Sequence, residues 1–294
     1  MKKRFRYATK GSFLAVDGVS LSIKRGELLA VIGESGSGKT TLAKIMAGLI
    51  QPTSGRVFFE GKPITSLDRR ERLNFSRKVQ YIPQYPDLAL DPSWYIYDSI
   101  AEPLRIHRMS SSREEELKIV RSVSARFGLS LDQLRRKPRD VSGGELQRAV
   151  LARSMALNPE VLIADEPTSM LDPSTQARIV RLILDAQREL GFAVLFVTHD
   201  LQLARVISDS VCVMLGGKII EFGSAQEIFS SPLHPYTSSL FSGSTFAGET
   251  KDNAACPFYS QCNLRAEICC NSTPPEFNIG RFRGVRCWNL GQPH

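Results

Sequence analysis

The run Gly33-Glu34-Ser35-Gly36-Ser37-Gly38-Lys39-Thr40 fits the pattern G-x-x-x-x-G-K-[ST]. Holding a triphosphate needs backbone N–H groups that converge on phosphate oxygens, and side chains would obstruct them, hence Gly36 and Gly38. Lys39 is expected to bridge the β- and γ-phosphates, and the Thr40 hydroxyl to bind Mg²⁺. Thr41 is placed for a contact further back on the phosphate chain. A second reactive group stands at Asp165-Glu166, where the apolar run VLIAD stops at two adjacent acids. Such a strand end is poor core design and good Mg²⁺ chemistry. Asp165 is the expected metal ligand, directly or through water. Glu166 is placed to polarise an attacking water as general base. His199, in VTHD after the next apolar run, is positioned to contact the γ-phosphate as a hydrogen-bonding switch. Gln84, in YIPQ, is positioned to sense the metal or the water.

These side chains need a scaffold that delivers them from distant points of the chain. LLAVIG (28–33) is a short apolar run ending in Gly, as a strand buried on both faces would be. After the loop, Leu42, Ile45, Met46 and Leu49 recur at helical spacing until Gln51-Pro52. Further apolar runs at 161–165, 193–200 and 211–215 alternate with helical patterns. One of these, 175–190, is opened by Asp172 as cap with Pro173 in the first position. Repeated βα units predict an α/β fold with a mainly parallel sheet and helices on both faces. Between Pro86 and Pro159 the pattern is helical without strong strands, which reads as a helical subdomain at about 86–158 inserted in a core spanning 1–242. From 243 to 294 the composition shifts to Gly, Ser, Thr and Asn, then to cysteine, and this stretch reads as a small, separately organised extension.

Composition narrows the class without naming chemistry. The 42% apolar content suffices for a core and excludes a disordered chain. No window approaches the roughly 20 apolar residues of a membrane helix, and no apolar stretch follows the basic start MKKRFRYATKGS as a secretory signal would require. A net charge of +8 suits phosphate-bearing ligands, nucleic acid or an anionic membrane surface, and equally a solvated surface.

The order of these pieces, with Ser142-Gly143-Gly144-Glu145 ahead of LQRAVLARSMALNPE, resembles the ATP-binding-cassette (ABC) family of P-loop ATPases. Read from the residues, VSGGE is a small-residue turn opening a helix, a second anion site with no phosphate nearby in sequence. The resemblance supplies the partner: two cassettes pair head to tail, and Ser142, Gly143 and Gly144 of one close over the ATP of the other. It implies that one chain, carrying one phosphate loop and one signature, must dimerise to complete its sites. It covers about residues 12–241, with Gln84 as Q-loop, Ser169-Met170-Leu171-Asp172 as D-loop and His199 as switch histidine. Val141 and Glu145 depart from the commoner LSGGQ without removing the Ser-Gly-Gly that meets phosphate. The adenine-stacking aromatic of the family lies upstream of the loop, and Tyr7 is chosen over Phe5 and Phe13.

The segment SPLHPYTSSLF, with His234-Pro235-Tyr236-Thr237, the cysteines after it and ALDPSWYIYDSIAEPL behind Gln84 are similar to ATPase subunits of the oligopeptide/dipeptide/nickel importer branch. Thiols clustered so densely inside a cell are metal ligands more often than disulfides. Cys256, Cys262, Cys269 and Cys287 could hold an iron–sulfur cluster of the 4Fe-4S kind, to which the branch resemblance also points. Cys270 would be the substitute for Cys269. Zinc is disfavoured by the lack of a short C-x-x-C pair, and unligated thiols are the remaining alternative. Cys212, in VCVML, reads as plain core.

The resemblance therefore implies an ATP- and Mg²⁺-dependent ATPase subunit on the cytoplasmic face of the cell membrane, serving a di/oligopeptide importer or one for nickel or another small solute. Its implied partners are a second ATPase subunit, two membrane-spanning permeases and, indirectly, an extracytoplasmic solute-binding protein. A soluble ABC ATPase acting on nucleic acid or ribosomes is the competing reading. It would call for paired cassettes, a long coiled-coil insertion or DNA modules, none of which the sequence carries, so no nucleic-acid partner is expected.

Overall fold

A computed structural model describes residues 1–7, 11–243, 254–280 and 282–290, without the side chains of 6, 7 and 11. The chain opens as an antiparallel ribbon of β1 (Lys3–Tyr7) and β2 (Gly11–Val16), followed by the buried β3 (Leu28–Ile32) and α1 (Lys39–Met46). A short hairpin, β4 (Phe58–Phe59) and β5 (Lys62–Pro63), leads into α2 (Arg69–Lys78) and β6 (Val79–Ile82). Four helices come next: α3 (Ile96–Ile106), α4 (Arg113–Arg126), α5 (Leu131–Leu134) and α6 (Gly143–Met155). The core resumes with β7 (Val161–Asp165), α7 (Pro173–Leu190), β8 (Ala193–Val197), α8 (Leu201–Ile207), β9 (Ser210–Leu215) and β10 (Lys218–Ser224). It ends in α9 (Ala225–Ser230), α10 (Pro235–Phe241), α11 (Glu267–Asn271) and two short strands, β11 (Phe277–Asn278) and β12 (Gly284–Val285).

The main sheet runs β11-β12-β10-β9-β3-β8-β7-β6. The five strands from β9 to β6 are parallel, and the three at the other edge are antiparallel. Every residue of β3 and β8 is buried, because helices cover both faces; this is why their sequences read as unbroken apolar runs. On one face, Leu42, Ala43 and Ile45 of α1 pack on Leu29, Val31, Leu195 and Val197. On the other, α3, α6 and α7 build a second core around Ile100, Leu104, Val150 and Ile183.

One expectation needs correction. The helical spacing reads through Leu49, but α1 stops at Met46 because Gly48 takes a left-handed φ of 72°. The Gly48 N–H then bonds the Ile45 carbonyl and the Leu49 N–H that of Lys44, the Schellman closure. Described parts of the stretch beyond 243 pack on the core. Its β12 pairs with β10, and Phe258 and Cys262 join the core layer of Ala30, Ile32, Val213 and Tyr236. Strands of two residues carry no readable alternation, and β12 exists only because the β10 edge is there to pair with.

Candidate nucleotide site

The phosphate loop spans the gap between β3 and α1, and its glycines are required for two different reasons. A Cβ on Gly33 would lie 2.2 Å from the Met214 carbonyl oxygen, and one on Gly38 would lie 2.1 Å from that of Ala15. Nothing lies within 4 Å of a Cβ on Gly36, whose φ of 79° is what demands glycine. The first two thus let neighbouring backbone approach, and the third sets the turn. Lys39, 5% exposed, points its Nζ back into the loop, donating to the carbonyls of Gly33 at 2.8 Å and Glu34 at 2.7 Å. Burial pulls its pKa down, and the carboxylates of Glu166, Asp165 and Glu34 oppose that shift.

Parallel register carries the carboxylates to the same sheet end. Asp165 closes β7 and is 1% exposed. Its Oδ1 accepts the Thr40 hydroxyl at 3.0 Å and its Oδ2 the Tyr81 hydroxyl at 2.8 Å. Burial raises its pKa despite those two bonds. Tyr81 was not foreseen: it sits in β6 beside β7, and only strand pairing brings it to Asp165. Burial and the Asp165 charge keep the Tyr81 phenol protonated, so it can only donate to that carboxylate.

Glu166 stands one residue past the strand at φ 47°, a conformation that L side chains avoid and that clusters at functional sites. Its N–H bonds the Val197 carbonyl at 2.9 Å, and its own carbonyl accepts the Ser169 hydroxyl at 3.1 Å, which lock the turn. One carboxylate oxygen, Oε2, then meets both His199 Nδ1 at 2.9 Å and Gln84 Nε2 at 3.4 Å. A single open cavity is lined by Ser35, Gly36, Gly38, Lys39, Thr40, Thr41, Gln84, Glu166 and His199, so the structure brings these sequence-chosen residues together. Ser37, buried, and Glu34, whose pKa burial raises, complete the loop. Phe13 also lines the cavity and stacks on Phe5 at 5.7 Å, whereas the Tyr7 side chain lies outside the described residues.

Ser142, Gly143 and Gly144 are not brought to this cavity. They open α6, where Ser142 and Glu145 form a reciprocal capping box: the Ser142 hydroxyl accepts the Glu145 N–H, and the Glu145 carboxylate accepts the Ser142 N–H at 2.7 Å. The acid at this position therefore has a local role, and the backbone bond holds its pKa below the usual range. Gly143 faces Leu171 of the D-loop and Gly144 faces Thr175 at the start of α7, which Asp172 caps.

In the C-terminal segment Cys256, Cys262, Cys269 and Cys287 line one small cavity with His234; Cys270 is not part of its lining. Burial raises the pKa of Cys256, Cys262 and Cys287, the last to about 11, and nearby thiolates add to the shift. Among the described residues no group of three or more His, Cys, Asp or Glu is gathered as one metal ion would require. Cys212 is buried in the sheet core, its thiol pushed up to about 12 by burial.

Comparison with known proteins agrees with this geometry. Residues 16–169 match the ABC transporter family, and residues 220–252 match the oligopeptide/dipeptide transporter C-terminal region. The oligopeptide transport ATP-binding protein OppF of Bacillus subtilis is 41% identical over 79% of this chain and 77% of its own length. The di/tripeptide transport ATP-binding protein DppF of Pseudomonas aeruginosa is 37% identical over 95% of this chain and 90% of its own. A dimeric, post-hydrolysis structure of the ATP-binding cassette MJ0796 with ADP and Pi is similar in fold, with a TM-score of 0.70 and 30% identity over 76% of this chain and 96% of that one. Phosphate loop, paired carboxylates, signature turn and sequence likeness converge: the chain belongs to the ABC transporter ATP-binding proteins, in the oligopeptide/dipeptide import family.

Proposed function

We propose that this chain is the ATP-hydrolysing subunit of a di- or oligopeptide importer, working as one of a pair of cassettes beneath membrane-spanning partners. The observation that carries the reading is the convergence of Lys39, Thr40, Gln84, Glu166 and His199 on one cavity in a chain of this family. Lys39 would hold the β- and γ-phosphates, and Thr40, Asp165 and Gln84 would hold Mg²⁺, which would supply charge neutralisation at the phosphates. Thr40 and Asp165 already face each other at hydrogen-bond distance, and that donor set of hard oxygens suits the ion. Glu166 takes the proton of the attacking water. His199 Nδ1 lies 2.9 Å from Glu166 Oε2 and keeps the carboxylate oriented; with a proton on both ring nitrogens, Nε2 would also donate to the γ-phosphate. Phe13, at the cavity wall, is a ring placed to stack on adenine.

Ser142, Gly143 and Gly144, remote from their own chain's loop, serve the partner cassette. The membrane side follows from exposure: Leu88 at 74%, Trp94 at 38% and Tyr95 at 50%, on the segment after Gln84, leave apolar surface for permease helices. No described helix is long and apolar enough to cross a membrane, so the translocation path belongs to the partners. Delivery of peptide by an extracytoplasmic binding protein is part of the same reading.

For Cys256, Cys262, Cys269 and Cys287 the reading is an iron–sulfur cluster, supported by four thiols being the ligand set such clusters take. The four thiols line one small cavity. When bound, such a cluster would supply a covalent cross-link among four points of the C-terminal segment. Anaerobic purification tests this: iron and sulfide with broad visible absorption are expected, and their absence removes the cluster. For the transport reading, affinity purification from native membranes should recover two integral subunits and a MgATPase activity. Recovery of nucleic acid or ribosomes in their place would overturn it.

A further inference from the structure

The motif His234-Pro235-Tyr236 takes no part in the chemistry above, yet its tyrosine reaches the phosphate loop. Tyr236 is fully buried in the first turn of α10, and its hydroxyl accepts the Glu34 N–H at 3.2 Å. The carbonyl of the same residue accepts Lys39 Nζ at 2.7 Å. Glu34 is thus held through its N–H by the C-terminal region and through its carbonyl by the catalytic lysine.

The tyrosine is itself rigidly placed. The His234 ring accepts the Tyr236 N–H at 3.0 Å through Nδ1, capping α10, and Pro235 occupies the first helical position. Glu221, fully buried on β10, accepts the N–H groups of Leu233 at 2.8 Å and His234 at 3.0 Å and pairs with Arg283 at 3.1 Å. Phe258 packs edge-on against the Tyr236 ring at 5.7 Å. Phe258 lies two residues after Cys256, and His234 lines the cysteine cavity. The layer that holds Phe258 and Cys262 is therefore linked through Tyr236 to the phosphate loop.

We propose that Tyr236 is a positioning residue of the nucleotide site: its hydroxyl holds the Glu34 peptide and keeps the phosphate loop preorganised for MgATP, so that loop geometry depends on the cysteine-bearing segment packed behind it. The proposal rests on the nucleotide reading of the cavity. Without the hydroxyl the Glu34 N–H loses its partner, the peptide turns, and the loop populates shapes whose N–H groups do not converge. Apparent affinity then falls by the fraction of loops still competent. Since the hydroxyl touches neither Glu166 nor the attacking water, turnover at saturation is retained.

The test compares the full chain with its Tyr236→Phe and Phe258→Leu variants by MgATP titration, steady-state hydrolysis and amide exchange in the loop. Tyr236→Phe should raise Kd and KM about 3- to 10-fold, the usual weight of one hydrogen bond, with kcat within about twofold and faster exchange at Glu34. Phe258→Leu should shift the same quantities less. An unchanged KM overturns the proposal, as does a fall in kcat at constant KM, the mark of a smaller folded fraction. Rapid exchange of the Glu34 amide in the unmodified chain overturns it without any variant. Failure of the unmodified chain to bind MgATP would remove the nucleotide reading itself, and this proposal with it.

Discussion

Glu166→Gln separates basicity from shape at the centre of the site. Gln84 Nε2 and His199 Nδ1 both reach the same carboxylate oxygen, Oε2. A glutamine whose carbonyl oxygen takes that place keeps both contacts, and its amide nitrogen replaces the other oxygen. The left-handed backbone at φ 47° costs Gln no more than Glu, so folding is unaffected. What disappears is the ability to take a proton from water. Loss of a general base costs about 10²- to 10⁴-fold in kcat, or roughly 3–5 kcal/mol of barrier at about 1.4 kcal/mol per tenfold. Nucleotide affinity moves the other way if at all: Glu166 is the largest of the carboxylate influences on Lys39, and its neutralisation removes a negative charge beside the triphosphate. MgATP binding should therefore hold or tighten while phosphate release nearly stops, and gel filtration with MgATP should trap a dimer. Phosphate-release kinetics and equilibrium titration on the same preparation decide the matter. Turnover at the unmodified rate would remove Glu166 as base, and an equal fall in affinity and turnover would make it a binding residue.

Gly33→Ala and Gly36→Ala should diverge, since a Cβ at the first meets backbone at 2.2 Å and at the second meets nothing within 4 Å. Thermal unfolding should show Gly33→Ala severely destabilised, while Gly36→Ala should lose about 1–2 kcal/mol to left-handed strain and chiefly weaken MgATP binding; equal melting temperatures would contradict this. In the helical subdomain, the Glu116 carboxylate takes Arg105 Nε at 2.7 Å, Arg105 Nη2 at 2.8 Å and the Tyr97 hydroxyl at 2.9 Å. The Arg105 bonds hold its pKa below the usual 4.5, so its stabilisation is present above that pH and is lost as pH falls through the lowered value. Glu116→Gln should cost about 1.5–3 kcal/mol at neutral pH in urea unfolding, with the gap closing in acid. A gap independent of pH would show that the charge is not what matters.

Sequence alone determined the phosphate loop, the carboxylate pair, the alternation of strands and helices, and the signature turn. Each is written in consecutive residues whose backbone conformation and chemistry are local: a strand that must be apolar, a turn that must be bare, a helix that must be capped. Tertiary structure decided whatever depends on two distant segments meeting. Tyr81 reaches Asp165 only through the pairing of β6 with β7, and Phe13 reaches the cavity only because β2 passes the phosphate loop. The reason for Gly33 is the Met214 carbonyl, on a strand far along the chain. The stretch beyond residue 243 reads as separate because a two-residue strand has no periodicity of its own, while in the fold β12 pairs with the β10 edge and Phe258 and Tyr236 share one buried layer. Periodicity reports which face of an element is buried, never against what, and a hydroxyl that closes on a loop some two hundred residues earlier leaves no trace in local pattern.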